Sequence, residues 1–173
     1  MQKQFFLQDA EILAKELLGC VLVRNVGDKS YRARIIETEA YYGSEDPASR
    51  ACQNGDLRET MKMEGGTILV YGIHHQWLLN FVNNKQGIAQ AVLIRALEPL
   101  NFNLRCNGPG LLTKAMQIDK SFHKQSIIRN KELKLEKKYG DFEIKESFRI
   151  GVTRDLPKKL RFYIRGNQGV SVK

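Results

Sequence analysis

The stretch Arg34-Ile-Ile-Glu-Thr-Glu-Ala-Tyr-Tyr-Gly43 predicts a β-strand that ends at its glycine. Side chains alternate between the two faces of a strand, so Glu37, Glu39 and Tyr41 are expected to share one face with Ile35. Two carboxylates on an otherwise apolar strand are costly to bury, which favours solvated glutamates on an exposed face. The alternative is a functional site, in which a carboxylate has a chemical role and the ring stacks on a flat ligand.

Positive charge is concentrated in the last third of the chain. Residues 1–113 contain 12 Lys and Arg and 12 Asp and Glu, whereas residues 114–173 contain 16 and 7, respectively. The whole net charge of +9 therefore lies in the second segment. A basic face predicts a polyanionic partner, most commonly nucleic acid, and the alternative is a solvated face that only increases solubility.

Length and composition fit one intracellular domain. The chain has 173 residues, of which 42% are hydrophobic, so it can bury its own core. No apolar run approaches the roughly 20 residues of a membrane span, and the N-terminus lacks the features of a signal peptide. Cys20, Cys52 and Cys106 are widely separated without metal-binding spacing, and an odd number of cysteines suits a reducing compartment.

The pattern of secondary structure predicts an α+β fold with mainly antiparallel strand pairing. Asp9 is a suitable N-cap for a helix that runs to Leu18, and Leu111–Ile118 is a second, short helix. Glu45–Gly66 is predicted to be a long loop, and the lysine-rich segment Asn130–Tyr139 to be mostly solvated. Strands are expected at Cys20–Asn25, Tyr31–Tyr41, Thr67–Tyr71, Leu78–Val82, Ala89–Arg95, Phe142–Ile144, Phe148–Thr153 and Leu160–Arg165.

Several runs of this sequence resemble the alkyladenine (3-methyladenine) DNA glycosylase family, the methylpurine-DNA glycosylase type. They occur in the family's order and extend over almost the whole chain, which is far more specific than one short motif. The matching residues are Glu37–Tyr41, Glu45–Ser49, Gly66–Tyr71, Asn80, Ala91–Pro99, Asn107–Gly110, Leu112–Ala115 and Leu160–Gly166.

The resemblance implies one compact domain with a curved antiparallel sheet, flanking helices and a β-hairpin for DNA. It implies a monofunctional glycosylase that flips alkylated or deaminated purines (3-methyladenine, 7-methylguanine or hypoxanthine) out of duplex DNA and hydrolyses the N-glycosidic bond. A purine within the stack is out of reach, so it must be extruded. An alkylated purine is cationic, and aromatic rings hold such a base by stacking and cation–π attraction.

The resemblance also assigns a role to each residue of the hydrolytic site. Glu39 matches the catalytic carboxylate, which would activate a water molecule and stabilise the cationic sugar. Arg95 and the backbone carbonyl of Ile150 match groups near that water, although an arginine here also fits a phosphate contact or a surface ion pair. Glu37 is the obvious rival to Glu39, and we assign it a supporting or structural role.

The base-binding pocket would be formed by two tyrosines and an amide. Tyr41 and Tyr71 match the stacking aromatics, and Asn80 matches a side chain that discriminates among purines. Without the resemblance, Tyr71 would be interpreted as a core residue and Asn80 as an amide at a strand end or turn.

The chain departs from the family's pattern on the DNA side of this pocket. Arg50 occupies a position that is usually histidine, and an arginine cannot shuttle a proton but would repel a cationic base or bind a phosphate. The hairpin reads Gly72-Ile73-His74-His75 where the family has a tyrosine, so Ile73 or His74 would be the wedge that fills the gap in the DNA. A metal site at His74 and His75 is disfavoured because no further ligand is nearby at suitable spacing.

The reaction that the resemblance implies needs neither metal nor cofactor, and no lysine is placed for a Schiff base. Lys158, Lys159, Arg161 and Arg165 are interpreted as phosphate contacts, with a solvated basic face as the alternative. We expect a monomeric, intracellular enzyme of minimal bacterial type, cytoplasmic and nucleoid-associated, that acts on double-stranded DNA containing damaged purines. The alternatives are a damaged-DNA-binding protein that has lost turnover and a general nucleic-acid-binding domain.

Overall fold

The long strand β2 (Lys29–Tyr41) lies at the centre of the fold and contains the stretch that opened the sequence analysis. The computed structural model describes residues 1–172 of the chain. Strand β5 (Ala91–Pro99) pairs with β2 along one edge. Along the other edge, β1 (Val21–Val26) pairs with the first half of β2 and β8 (Arg161–Ile164) with the second half. The part of β2 that carries the glutamates is therefore paired on both edges.

Four more strands complete the sheet in the described residues. They are β3 (Ile68–Ile73), β4 (Gln76–Val82), β6 (Leu133–Glu136) and β7 (Ile144–Ser147). The strand order is β3-β4-β5-β2-β1-β6, with β7 joined to β8, and all the pairs are antiparallel. The sheet is curled, and this confirms the predicted α+β class with antiparallel pairing.

Helices cover the sheet and connect its two ends. Helix α1 (Ala10–Leu17) begins at Asp9, whose carboxylate accepts a hydrogen bond from the Glu11 N–H at 2.9 Å, which confirms the predicted N-cap. The buried face of α1 packs against β2, where the Thr38 hydroxyl donates to the Ala14 carbonyl at 2.8 Å. The remaining helices are α2 (Asp56–Met61), α3 (Pro109–Ala115) and short 3-10 turns at Lys3–Phe6, Arg50–Cys52 and Lys120–Phe122.

The register of β2 against β5 is interrupted between Ile35 and Thr38, as at a β-bulge. A bulge changes the direction of the side chains and increases the local twist. Because the sheet is covered on both faces here, residues 35–40 are all buried. The expectation of solvated glutamates on an exposed face is therefore wrong.

Three local expectations also need correction. Asn130–Tyr139 is mostly exposed, as predicted, but it also contains the unpredicted strand β6, whose Leu133 and Leu135 are buried where β6 pairs with β1. Phe148–Thr153 is irregular instead of a strand, and the predicted loop 45–66 contains α2. None of the helices in the described part of the chain has the length and hydrophobicity needed to cross a bilayer.

The hairpin between β3 and β4 is tighter than predicted. Ile73 pairs with Gln76, so the connection is the two-residue turn His74-His75 and not the six residues Gly72–Trp77. Both histidines have positive φ, 48° and 62°, which is unusual for residues other than glycine. Such backbone strain is most often retained where the side chains have a function.

Helix α3 packs against strand β4 at the base of the hairpin. The Thr113 hydroxyl donates to the Trp77 carbonyl at 2.8 Å, and the helix approaches β4 so closely that Gly110 has no room for a side chain. A Cβ atom at Gly110 would lie 1.8 Å from Oε1 of Gln76. The base of the hairpin is therefore held against α3, while the histidine tip is exposed.

Candidate active site

Glu39 is a fully buried carboxylate with hydrogen-bond donors on both oxygens. Oε1 accepts from the Ile150 N–H at 2.8 Å, and Oε2 accepts from the Tyr41 hydroxyl at 2.8 Å. An Arg95 guanidinium nitrogen lies 3.3 Å from both oxygens and donates also to the Ile150 carbonyl at 3.3 Å. The structure thus brings Glu39, Arg95 and Ile150 together, the residues that the resemblance assigned to the hydrolytic site. Tyr41, which was assigned to the base pocket, contacts the same carboxylate.

Burial and the surrounding hydrogen-bond donors shift the pKa of Glu39 in opposite directions. Loss of solvent raises the pKa of the carboxyl above its ordinary value of 4.5, while Arg95, the Ile150 N–H and Tyr41 act in the opposite direction. Burial and the neighbouring carboxylate raise the pKa of Tyr41, so its hydroxyl remains protonated and donates to Glu39. A carboxylate with a raised pKa is a stronger base than a solvated one.

Glu37 forms an ion pair with Arg95, the same arginine that contacts Glu39. Its buried Oε1 accepts from Nε of Arg161 at 2.7 Å and from the Ser171 hydroxyl at 2.8 Å, and Nε of Arg95 lies 3.4 Å away. Its Oε2 accepts from the Ser171 N–H at 2.6 Å. Two carboxylates and two guanidinium groups are therefore buried together, which satisfies the requirement that buried charges be paired. Glu37 has the supporting geometry expected of it.

Arg161 has a different environment from the one predicted. Its side chain is only 5% exposed, and it donates to Glu37 and to the carbonyl of Val172. A guanidinium enclosed in this way has no surface to offer to a phosphate. The interpretation of Arg161 as a phosphate contact is therefore replaced by a structural one.

The other basic candidates remain at the surface. Lys158, Lys159 and Arg165 are exposed, with Lys158 paired to Glu11 and Arg165 to Glu143. Surface pairs of this kind contribute little to stability and are readily exchanged for another anion. Their assignment to phosphate remains a prediction.

A second buried ion pair anchors the segment that carries Ile150. Arg149 donates to both oxygens of Asp46 at 2.7 Å, and both side chains are fully buried. It also donates to Asp155 and to the Ala40 carbonyl, and its guanidinium carbon lies 4.5 Å from the centre of the Tyr41 ring. Sequence reasoning missed Arg149, although Asp46 stands in one of the matched runs. Because the partners are far apart in the chain, local spacing gives no signal for this pair.

The proposed base pocket is a small cavity beside Tyr41. Its volume is about 10 Å³, and it is lined by Tyr41, Ala48, Arg50, Met61, Leu69, Tyr71, Asn80 and Ala91. The structure therefore brings together all the predicted pocket residues, with Arg50 among them. Glu39 does not line the cavity itself, but it accepts a hydrogen bond from Tyr41, which does. A cavity of this size holds about one water molecule and no purine.

Two of the lining side chains have fixed positions. The Asn80 amide nitrogen donates to the carbonyls of Leu69 at 3.2 Å and Leu78 at 3.4 Å. The Arg149 guanidinium covers one face of the Tyr41 ring, and the Tyr41 hydroxyl is fixed by its hydrogen bond to Glu39. These residues form rigid walls, as a selective site requires.

Other parts of the surface lack this chemistry. A cleft of about 650 Å³ lies between the segments 97–107 and 166–169, but none of the buried carboxylates described above lines it. Within residues 1–172, no three His, Cys, Asp or Glu side chains are grouped so that they would hold a metal ion. The buried acidic cluster beside the aromatic cavity is the candidate active site.

A buried glutamate beside two tyrosines, on a curled antiparallel sheet with a strained hairpin, defines a site of the kind used by hydrolases that act on flat bases. Comparison with known proteins identifies the family. The family model described as Methylpurine-DNA glycosylase (MPG) matches residues 4–168. The chain belongs to this family of DNA glycosylases.

Similar proteins match this chain over nearly its whole length. One from Borreliella afzelii is 41% identical over 99% of both chains, and one from Aeropyrum pernix is 39% identical over 99% of this chain and 92% of its own. A third, from Legionella pneumophila, is 38% identical over 99% of this chain and 97% of its own. All three carry the provisional name 3-methyladenine DNA glycosylase.

We predict that Asp46→Ala destabilises the protein by about 3–5 kcal/mol, because the buried Arg149 loses the carboxylate to which it donates two hydrogen bonds. Burial raises the pKa of Asp46, but Arg149 and the N–H groups of Tyr42 and Ala48 together lower it below its ordinary value of 3.8, so this stabilisation is lost as the pH falls through the lowered pKa. Urea unfolding at neutral pH measures the change. The exposed neighbour Glu45→Ala is the control and should change stability by less than about 0.5 kcal/mol. Equal effects of the two substitutions would contradict the prediction.

Proposed function

We propose that this protein excises alkylated or deaminated purines from double-stranded DNA by hydrolysis of the N-glycosidic bond, with Glu39 as the general base. The observation that carries the proposal is the buried Glu39 carboxylate, held by Tyr41, Arg95 and the Ile150 N–H beside a cavity with two tyrosines. Family membership and the names of the relatives support the reaction class. The lesions 3-methyladenine, 7-methylguanine and hypoxanthine are the proposed substrates.

In the proposed reaction, the damaged nucleotide rotates out of the duplex and its base enters the cavity between Tyr41 and Tyr71. The oxygen of a water molecule forms a bond to C1′ as the bond from C1′ to the purine nitrogen breaks. The electron pair of that bond leaves with the purine, and the proton of the water passes to Glu39. The negative carboxylate also stabilises the positive charge that develops on the sugar.

The surrounding residues have positioning roles in this proposal. Arg95 and Ile150 orient Glu39, and Asn80 limits which purines fit. The exposed Lys158, Lys159 and Arg165 would bind phosphates, which position the duplex without reading its sequence. We propose that the enzyme acts as a monomer in the cytoplasm, associated with the nucleoid if bacterial, and forms no covalent lyase intermediate.

The hairpin tip is proposed to fill the space that the flipped nucleotide leaves. Replacing His74-His75 by Asn-Gly, a pair suited to positive φ, should raise the free energy of unfolding by about 1 kcal/mol, because the backbone strain is relieved. Excision in single-turnover assays should fall if a histidine inserts. Unchanged excision, combined with a loss in Ile73→Ala, would assign the wedge to Ile73 instead.

We predict that Glu39→Gln lowers excision by about 10²- to 10⁴-fold, the usual contribution of a general base. The assay is single-turnover release of free base from duplex oligonucleotides that contain hypoxanthine, 7-methylguanine or 3-methyladenine. Glu45→Gln, an exposed carboxylate close in sequence, is the control and should retain native rates.

Three other results would contradict parts of the proposal. Lesion-selective binding without release of base would indicate a damaged-DNA-binding protein, an alternative that the comparisons do not favour. Equal binding to damaged and intact duplexes would indicate a general nucleic-acid-binding domain. Trapping of a covalent adduct by borohydride would show a lyase.

The pH dependence of excision should report the ionisation of Glu39. Because only the carboxylate can accept the proton, the rate should fall at low pH with an apparent pKa above 4.5. Arg95 lowers the pKa of Glu39, so Arg95→Met should move this acid limb to higher pH. If the acid limb of the pH profile stays at the same pH in Arg95→Met, the prediction that Arg95 controls the ionisation of Glu39 is wrong.

A further inference from the structure

The cavity beside Tyr71 is too small for the ligand that the proposed function requires. Its volume of about 10 Å³ compares with roughly 300 Å³ or more for ordinary ligand pockets. Some lining group must therefore move before a purine can enter. The question is which of the eight lining residues is free to do so.

Most of the lining residues cannot move without unfolding the core. Met61, Leu69, Asn80 and Ala91 are buried, and Tyr41 is held between Glu39 and Arg149. Ala48 and Tyr71 are partly buried, and the side chain of Ala48 is a single methyl group. Arg50 is the one exposed residue of the eight, and it has a long, flexible side chain.

Arg50 lies where a flat cationic ligand of Tyr71 would lie. Its guanidinium carbon is 5.2 Å from the centre of the Tyr71 ring, within the range of a cation–π contact. A guanidinium is planar and charged, so it resembles an alkylated purine in the two properties that an aromatic ring recognises.

Arg50 differs in its charge balance from Arg149, the arginine that lies on the Tyr41 ring. Arg149, on the Tyr41 ring, is neutralised by Asp46 and Asp155. Among residues 1–172, no carboxylate forms an ion pair with Arg50, whose guanidinium contacts the Tyr71 ring. Its charge is therefore not compensated locally, and no ion pair holds it in place.

We propose that Arg50 is an internal plug of the base pocket and determines its specificity. In the free protein its guanidinium stacks on Tyr71 and closes the cavity, and an incoming base displaces it. The displaced side chain remains at the mouth of the pocket, where its positive charge disfavours cationic purines relative to neutral ones. This inference rests on the proposed function, because it takes the Tyr71 face as the base-binding surface.

The stacking in the free protein is tested by NMR without DNA. Arg50 side-chain protons should show an upfield ring-current shift and nuclear Overhauser contacts to the Tyr71 ring. Tyr71→Leu should abolish the shift, while the signals of Arg58, an arginine on α2 that does not line the cavity, stay unchanged. Absence of the contacts in the native protein overturns the plug, whether or not Tyr71→Leu folds.

The effect on specificity is tested by the ratio of single-turnover excision of 7-methylguanine to that of hypoxanthine. Arg50→Gln should raise this ratio by about 2- to 30-fold, the range that corresponds to a cation–π contact. Arg50→Lys retains the charge and should raise it less, and Arg58→Gln should not change it. An unchanged ratio in Arg50→Gln overturns the proposal.

Two further outcomes separate this proposal from the alternatives. A uniform loss of binding to all duplexes in Arg50→Gln, with a shallower salt dependence, would place Arg50 on a phosphate and overturn the plug. If the native protein releases no base from any duplex, the proposed function fails. The NMR result on Arg50 and Tyr71 then still decides whether the cavity is plugged.

Discussion

The structure depends on the burial of Glu37 and Glu39 on the same strand, with Arg95 between them. Two carboxylates without partners in this position would cost more free energy than a domain of this size has to spare. Arg95 and Arg161 supply two positive charges, and the Ile150 and Ser171 N–H groups supply further donors. The segments on which these groups stand must all be in place for the charges to be satisfied. The candidate active site and the centre of the fold are therefore one network.

This network also changes the meaning of the charge distribution. The last third of the chain carries the whole excess of positive charge, yet Arg149 and Arg161 are buried as partners of Asp46 and Glu37. Part of the basic composition thus compensates acidic residues of the first half, whereas other lysines and arginines of the last third, such as Arg154 and Arg165, stay exposed. A count of charges along the sequence cannot separate these two uses, because exposure is decided by the fold.

The sequence predicts local features better than long-range ones. Asp9 and the apolar spacing that follows it specify α1, because an N-cap and a periodic face are local signals. Strand β6 was missed although Leu133-Lys-Leu-Glu136 alternates apolar and polar residues, because the run is only four residues long and lies within a lysine-rich segment. The roles of Glu39, Arg95 and Ile150 were available through family resemblance and not through spacing. The pairs Asp46–Arg149 and Glu37–Arg161 join distant segments, and only the folded chain shows them.

The contacts of Ser171 and Val172 have a consequence for how the protein is made. Glu37 and Arg161 bind this segment, and the Ser171 hydroxyl also lies 3.4 Å from Nε of Arg95. During synthesis, β2 and β5 leave the ribosome long before residue 171 is added. A nascent chain can thus pair its central strands early, but Arg95 acquires its full set of partners only after Ser171 has left the exit tunnel.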